Sequence, residues 1–415
     1  MSERLRAIKD VRDWGLCTGC GACTYACPNG EITLENVPSA GIRPRILDES
    51  YDSSELLSIC PGASVIVPIN DKKSPERNAS LEFGATTEIW TGYAADAQIR
   101  FAGSSGGVLT ALSLFCLEQL GMEFVLHTGK DAEKPWLNTT VQSTSREQLL
   151  SHAGSRYAPS SPCDGLALVE SSPGPCVFIG KPCDVAAVDR LRKQRPKLDR
   201  NLGLVLTFFC AGTPSTQGTL DLAGITPEEA GSIQDLRYRG EGWPGNFKVT
   251  WDNGDRETCL PYSESWKKLT SYRPLRCNLC PDGLGQMADI SCGDAWDEYD
   301  PNHPSPGVSL VLARTALGQD IIRQAIAHGY LKLSSAGPDR VLAAQENLLG
   351  RRRELFGRLL ALRLLGIPIP RFSGFSLLRR WVRLPLHRKF KTVVGTLRRA
   401  LVRGWWERKI EVPEA

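Results

Sequence analysis

Cys17-Thr-Gly-Cys20-Gly-Ala-Cys23-Thr-Tyr-Ala-Cys27-Pro28 places four cysteines in twelve residues. The spacing is C-x2-C-x2-C-x3-C-P, the bacterial ferredoxin run that binds a 4Fe–4S cluster. Three thiolates on one tight loop can grip three corners of a cubane. The small residues Gly19, Gly21 and Ala22 let backbone N–H groups approach its sulfides. The fourth ligand normally comes from farther along, because the local fourth cysteine serves the other cluster where there are two. Here a second Cys-Pro, Cys60-Pro61, follows with no C-x2-C-x2-C before it. The N-terminal part therefore reads as a one-cluster module on Cys17, Cys20, Cys23 and Cys60, with Cys27 spare or taking the place of Cys60. Zinc is the alternative, but it rarely uses this triple spacing.

Outward from that run, the 415 residues are 23% charged and 41% hydrophobic, with 39 Gly, 27 Pro and 14 Cys. Such a composition excludes collagen-like, coiled-coil and wholly disordered chains and leaves room for two or three domains. No apolar run is long enough to span a bilayer, and the N-terminal MSERLRAIKDVRDW lacks the apolar core of a secretory signal. A cytoplasmic location is expected, and cysteines in a reducing compartment are more often metal ligands or redox groups than disulfides. The net charge of +4 conceals an asymmetry. Residues 371–415 carry 12 Lys+Arg against 3 Glu, so the tail is +9 and the body −5.

The expected fold class is α/β (α+β): a small ferredoxin-like unit over 1–69, a polar linker over 70–84, and α/β parts over 85–170 and 171–340. A helical extension over 341–370 and a basic amphipathic tail over 371–415 complete the chain. Strands are predicted at Glu88–Ala94 and Glu123–His127, with a helix opening at Gly103-Ser104-Ser105-Gly106-Gly107 between them. Val177–Ile179, a helix over Asp184–Arg195 and Leu202–Phe209 form a βαβ pattern, which sets parallel strands side by side. Phe247–Trp251 and Glu257–Leu260 read as a hairpin turning through residues 252–255, and a further strand–helix–strand spans Ser309–Leu333. The tail suits two helices broken at Pro385.

A second set of cysteines is dispersed. Cys183 follows one strand of the βαβ unit and Cys210 ends the other, which places both at the carboxyl edge of the sheet, where α/β proteins bind ligands. Cys277-Asn-Leu-Cys280 adds a C-x2-C pair. Four such thiols suit zinc or an iron–sulfur cluster, and the first module favours the cluster. Cys292 is near enough in sequence to compete. Cys116, Cys163, Cys176 and Cys259 read as ordinary small core residues.

The glycine turn 103–107 suits a phosphate at a helix N-terminus, or equally a close-packed helix start. Gly154-Ser155-Arg156-Tyr157 and the loop around Arg239 bring cations and aromatics that suit a dinucleotide. The five histidines show no metal spacing, and no nucleic-acid-binding module is present. The basic tail, with its interleaved Trp and Leu, suits the surface of an anionic membrane.

Taken in order, several motifs resemble those of the coenzyme F-420 hydrogenase/dehydrogenase beta-subunit family, with formate dehydrogenase beta subunit and 7-hydroxymethyl chlorophyll a reductase relatives. They are the run 17–28, Gly103-Ser-Ser-Gly-Gly107, Gly154-Ser-Arg-Tyr157, Gly180-Lys-Pro-Cys183-Asp, Phe209-Cys210-Ala-Gly-Thr-Pro, Cys277-Asn-Leu-Cys280-Pro and Ala288-Asp-Ile-Ser-Cys-Gly-Asp-Ala-Trp296. The resemblance implies FAD and one or two 4Fe–4S clusters. It puts 103–107 and 155–157 against the FAD, and Cys183, Cys210, Cys277 and Cys280 on an inner cluster. Lys181, Arg156 and Arg239 are the expected cations near the flavin, and Asp294 or Tyr157 the candidates for a proton donor. The implied function is an iron–sulfur flavoprotein oxidoreductase. It would pass electrons between a one-electron carrier, ferredoxin or a partner subunit, and a small organic substrate. The alternative is a non-catalytic electron-transfer subunit, and in either case an oligomer is expected.

Overall fold

Three thiols on one loop need that loop held by its own small core, and the N-terminal elements supply one. In the computed structural model, residues 5–27, 29–48, 51–68, 82–226, 228–251, 257–303, 305–407, 410 and 412 are described. A helix over Ile8–Asp13 precedes the cysteine run, which itself turns through a helix over Ala22–Ala26. β1 (Ile32–Val37) and β2 (Gly41–Ile46) form an antiparallel hairpin beside it. β3 (Ser64–Ile66) follows Cys60. Most of the expected linker lies outside the described residues.

An eight-stranded mixed sheet organises the rest. The chain lays down β4 (Glu88–Ala94), β5 (Val125–Lys130), β6 (Asn138–Ser143), β7 (Cys176–Gly180) and β8 (Leu202–Phe208). It then leaves for a separate antiparallel sheet of β9 (Ile233–Arg237), β10 (Asn246–Trp251) and β11 (Glu257–Pro261), and returns for β12 (Ile290–Asp294), β13 (Ser309–Ala313) and β14 (Leu331–Ser335). The order across the large sheet is β14-β4-β13-β12-β8-β7-β5-β6. The central four, β12, β8, β7 and β5, are parallel, and every outer pairing is antiparallel.

The chemistry of the strands explains this placement. β7 and β8 are near-continuous apolar runs, as strands covered on both faces must be. They pair in parallel, with the helix Pro182–Gln194 as crossover, so the βαβ reading holds. The expected hairpin is β10–β11, and its turn residues lie outside the described ones. β6 carries no apolar alternation, so its own residues do not announce a strand; it pairs only with β5, at the sheet edge.

The two faces of the sheet bury different partners. Helices Val108–Glu118 and Ala316–Ala327 cover one face over Val177, Leu204, Leu206 and Ile290. The opposite face carries the Pro182–Gln194 helix. Its core runs on without a break into the N-terminal module and the helix Glu346–Leu364, joining Phe178 and Val205 to Leu16, Tyr25, Leu355 and Leu362. The cysteine module is therefore packed onto the sheet domain.

The C-terminal residues return to that module. β15 (Arg371–Ser373) pairs in parallel with β3, and two helices, Leu377–Val382 and Leu386–Arg403, flank Pro385 as expected. The second helix turns Thr392, Thr396 and Ala400 inward and leaves Leu386 and Phe390 80% and 71% exposed. No helix among the described residues is long and apolar enough to cross a membrane.

Candidate metal centres and cofactor cavity

Cys17, Cys20, Cys23 and Cys60 line one small apolar space, with Ile8, Val11, Leu56 and Ile59 around them. Two positive-φ glycines shape the loop. A side chain on Gly19 would meet the Ile42 carbonyl at 2.9 Å, and one on Gly21 the Asp164 amide at 2.8 Å. Burial pushes the Cys60 thiol up to about 12, with the neighbouring Cys20 and Cys17 adding to it. Cys23 is raised by burial and then by Cys20, Cys17 and Cys60. Cys20 is lowered by hydrogen bonding, whereas Cys23 and Cys60 would hold their ionised form only beside compensating positive charge, which iron would supply. Cys27 stands apart. Its thiol donates to Glu31 Oε2 at 2.9 Å and lies 3.3 Å from the Tyr51 hydroxyl.

The second group forms at the carboxyl edge of the parallel strands. Cys183 sits in the first turn of the crossover helix and Cys210 two residues beyond β8. Burial raises Cys183 well above its usual value, and among its further causes are Cys210 and Cys280. Cys210 is pushed up to about 12 by burial, then by Cys277 and Cys280. These four thiols therefore lie within electrostatic reach of one another. Arginines that no motif singles out ring the group. Arg273 and Arg351 both donate to the Ala211 carbonyl, at 2.9 and 2.7 Å, and Arg351 also to the Cys277 carbonyl. Arg276 is buried, with its charge felt at Cys280. Such cations favour a negatively charged centre.

Cys292 does not join them. It shares a sheet face with Ile290 on β12 and lies in the core under the Val108–Glu118 helix, its thiol raised by burial alone. Cys259, expected in the core, is exposed on β11. Cys163, also expected to be plain core, is buried against Cys20. Among the described residues no three His, Cys, Asp or Glu side chains gather around a single point as one metal ion requires. A cubane attaches its four thiolates to four separate irons and accepts a wider group, whereas zinc draws its ligands to one centre at about 2.3 Å.

Beside the second group opens a cavity of about 630 Å³, within the range that holds a cofactor. Gly103, Ser104, Ser105 and Gly107 form part of its wall, as do Ser155, Arg156, Tyr157, Lys181, Arg239 and Cys210. The helix Val108–Glu118 starts there from Gly107 (φ 74°), with no side chain capping its first amides. A Cβ on Gly107 would lie 2.7 Å from the Ile99 carbonyl. The Gly106 amide is taken up by Ser309 Oγ at 2.9 Å. Close packing and an open helix end therefore both account for the glycines.

The three expected cations are already occupied. Arg156 donates to the carbonyls of Pro135, Leu137 and Leu236 and to Asn138, and so braces the loop. Lys181 Nζ donates to Ser160 O and Oγ at 2.9 and 2.7 Å and pairs with Asp184 at 2.9 Å. Arg239 grips Asp294 with both ends of its guanidinium, at 2.6 and 3.0 Å, and reaches the Tyr157 hydroxyl. Asp294 also accepts from Trp243 Nε1 at 2.8 Å. Tyr262 and Trp296 stack at 5.5 Å over Arg239. Anions in the cavity would thus meet backbone amides more than free side-chain charge.

Two histidines without metal spacing in the sequence meet at the cavity wall. His127 and His152 approach at 5.7 Å between ring centroids, and His152 Nδ1 is buried without a partner. Folding brings β5 beside the helix Arg146–Ser151, an adjacency no linear spacing reveals.

This is the architecture of an electron-transfer protein of the oxidoreductase class, with an iron–sulfur module joined to an α/β domain. Two family models describe that domain. The N-terminal model of the coenzyme F420 hydrogenase/dehydrogenase beta subunit matches residues 89–166, and the corresponding C-terminal model matches residues 175–339. A 4Fe–4S binding domain matches 10–30. The chain belongs to the coenzyme F420 hydrogenase/dehydrogenase beta-subunit family. It is 24% identical over 335 residues to a coenzyme F420-dependent sulfite reductase of Methanocaldococcus jannaschii, covering 76% of this chain and 46% of that one. The chain thus spans about half of that relative's length. To the coenzyme F420 hydrogenase subunit beta of Methanococcus voltae it is 26% identical over 300 residues, 70% of this chain and all of the other. A chain of the F420-reducing [NiFe] hydrogenase complex from Methanosarcina barkeri shares the fold, with a TM-score of 0.51 and 22% identity over 68% of this chain and 91% of that one.

Cys277→Ala is expected to remove about half of the bound iron and Cys60→Ser the other half, whereas Cys27→Ser retains all of it; iron and acid-labile sulfide analysis after oxygen-free isolation decides. Burial, helped by His152, pushes His127 down to about 4. The unfolded chain therefore takes up a proton near pH 6.5 that the folded one refuses, so stability falls as pH drops from about 6.5 towards 4. His127→Gln should flatten that part of the urea-midpoint profile against pH.

Proposed function

We propose that the chain is an iron–sulfur flavoprotein that passes electrons between a one-electron carrier and a small organic two-electron substrate. Cys17, Cys20, Cys23 and Cys60 would hold the outer 4Fe–4S cluster, and Cys183, Cys210, Cys277 and Cys280 the inner one. The observation that carries this reading is the position of Cys210, which belongs to the second thiol group and also lines the cavity. FAD bound there would convert single electrons into pairs, delivered as a hydride.

The residues around the cavity have definable tasks. The amides at the start of the Val108–Glu118 helix would receive the pyrophosphate, and Tyr157, Tyr262 and Trp296 offer flat apolar walls to aromatic rings. The Arg239–Asp294 pair fixes the glycine turn by donating to the Ser104 carbonyl at 2.5 Å. The cysteine module packs against the sheet through one continuous hydrophobic core.

A ferredoxin or a partner subunit would supply the outer cluster. The relatives' names specify coenzyme F420, which makes a deazaflavin the first acceptor to try. The tail helix Leu386–Arg403, with Leu386 and Phe390 exposed beside Arg388 and Lys391, would lie on the anionic inner face of the membrane. Ending the chain at Pro370 should abolish sedimentation with anionic vesicles; unchanged sedimentation disproves that contact.

Oxygen-free isolation should yield about eight irons and one FAD per chain, two cubanes contributing four irons each. Reductive titration against coenzyme F420 and other acceptors then separates two readings. Turnover by the isolated chain supports the enzyme; iron without flavin or turnover supports an electron-transfer subunit.

A further inference from the structure

The helix Glu346–Leu364 lies beyond the residues that the family models match, yet it grips the segments that carry Cys210, Cys277 and Cys280. Arg351, Leu355, Arg358 and Leu362 recur at helical spacing and so share one face. The two leucines are buried in the core, and the two arginines reach backbone carbonyls. Arg351 donates to those of Ala211 and Cys277 at 2.7 and 2.6 Å, and Arg358 to that of Asn278 at 3.0 Å. From the neighbouring position Arg352 donates to the Pro281 carbonyl at 2.6 Å. The one guanidinium of Arg351 therefore ties the segment after β8 to the Cys277 loop.

Charge sets Arg351 apart from its neighbours. Arg352 pairs with Asp282 at 3.5 Å, Arg353 with Glu82 and Glu346 at 3.0 and 2.9 Å, and Arg358 with Glu354 at 3.0 Å. Among the described residues no carboxylate lies within ion-pair distance of Arg351. Arg273 is in the same position, donating only to the Thr270 and Ala211 carbonyls, at 3.1 and 2.9 Å. Two guanidinium groups thus share one carbonyl oxygen. Like charges drawn together away from water repel, unless a negative group stands beside them. The inner thiols are the group in reach. The Thr213 amide donates to the Cys277 sulfur at 3.5 Å. Gly212 (φ 122°) leaves room for Arg273, since a Cβ there would lie 2.6 Å from its Cδ.

We propose that Arg351 is a positioning residue for electron transfer: its unpaired charge, held against the Cys210 and Cys277 segments, raises the potential of the inner cluster, so that electrons collect beside the cavity. A reduced cluster is more negative than an oxidised one, so fixed positive charge nearby favours reduction. In the step it adjusts, one electron leaves the reduced outer cluster and enters the oxidised inner one; no bond forms or breaks and no proton moves. The inference rests on the two-cluster reading.

The test is a redox titration followed by electron paramagnetic resonance on the full-length holoprotein, isolated without oxygen. Cys60→Ser, which should retain only the inner cluster, identifies its signal. Arg351→Ala should lower the inner midpoint and shift the electron partition about ten-fold towards the outer cluster, the effect of one hydrogen bond from a charged donor. The outer midpoint should stay in place. Arg351→Gln, neutral but still a donor, should shift the inner midpoint in the same direction, and Arg351→Lys, which keeps the charge, should recover most of the loss. Arg353→Ala, on the same helix but paired with Glu82 and Glu346, should move neither midpoint. Absence of an inner signal from the unmodified protein overturns the two-cluster reading and this proposal with it. An inner midpoint unmoved in fully loaded Arg351→Ala overturns the proposal alone. So does loss of inner iron from both neutral variants, or a shift that Arg351→Lys leaves in full, either of which makes the residue a structural tether.

Discussion

Gathering eight thiols, one buried and seven half-buried, into two groups is the constraint to which the surrounding structure answers. Cys17, Cys23 and Cys60 in one group and Cys183, Cys210 and Cys280 in the other are raised, chiefly by burial, and several of them further by their ionised neighbours. Without iron such groups would stay protonated; with it they become a framework that ties distant segments together. The outer group joins residues 17–23 to Cys60, and the inner one joins the crossover helix, the end of β8 and the 277–280 loop. The fold accommodates this by placing the first turn of the crossover helix between them, with Cys183 on the inner side and the Asp184 carbonyl towards Cys163.

A comparable economy governs the cations. Arg156, Lys181 and Arg239 look in sequence like hands held out to an anionic cofactor, yet each is consumed by carbonyls or a carboxylate of the protein itself. Buried charges must be paired or surrounded by dipoles, and these pairings hold the cavity walls in position. Charge acting on the inner thiols comes from Lys181 itself and from Arg273, Arg276 and Arg351. The last of these stands on the helix Glu346–Leu364, beyond the residues that the family models match.

That helix also links the extension to the core. Leu355 and Leu362 complete the hydrophobic cluster beneath the cysteine module, and β15 adds a parallel strand to β3. The C-terminal residues read from composition as a separate basic tail are thus anchored to the first domain at one end. At the other they present an amphipathic helix outward. Composition alone registers charge and apolarity; which face of the helix is already satisfied depends on packing.

Much was legible in order along the chain. Spacing within one loop revealed the first cysteine group, because its ligands are local. The βαβ pattern revealed that Cys183 and Cys210 would stand at neighbouring strand ends, because a crossover has essentially one hand and one result. The meeting of His127 with His152, the contact of Cys163 with Cys20, the removal of Cys27 to Glu31 and of Cys292 to the opposite face of the sheet were not legible. Local covalent spacing determined which residues carry the chemistry. Tertiary packing decided which thiols face each other and which cations remain free, since burial and proximity between remote segments exist only once the chain has closed on itself.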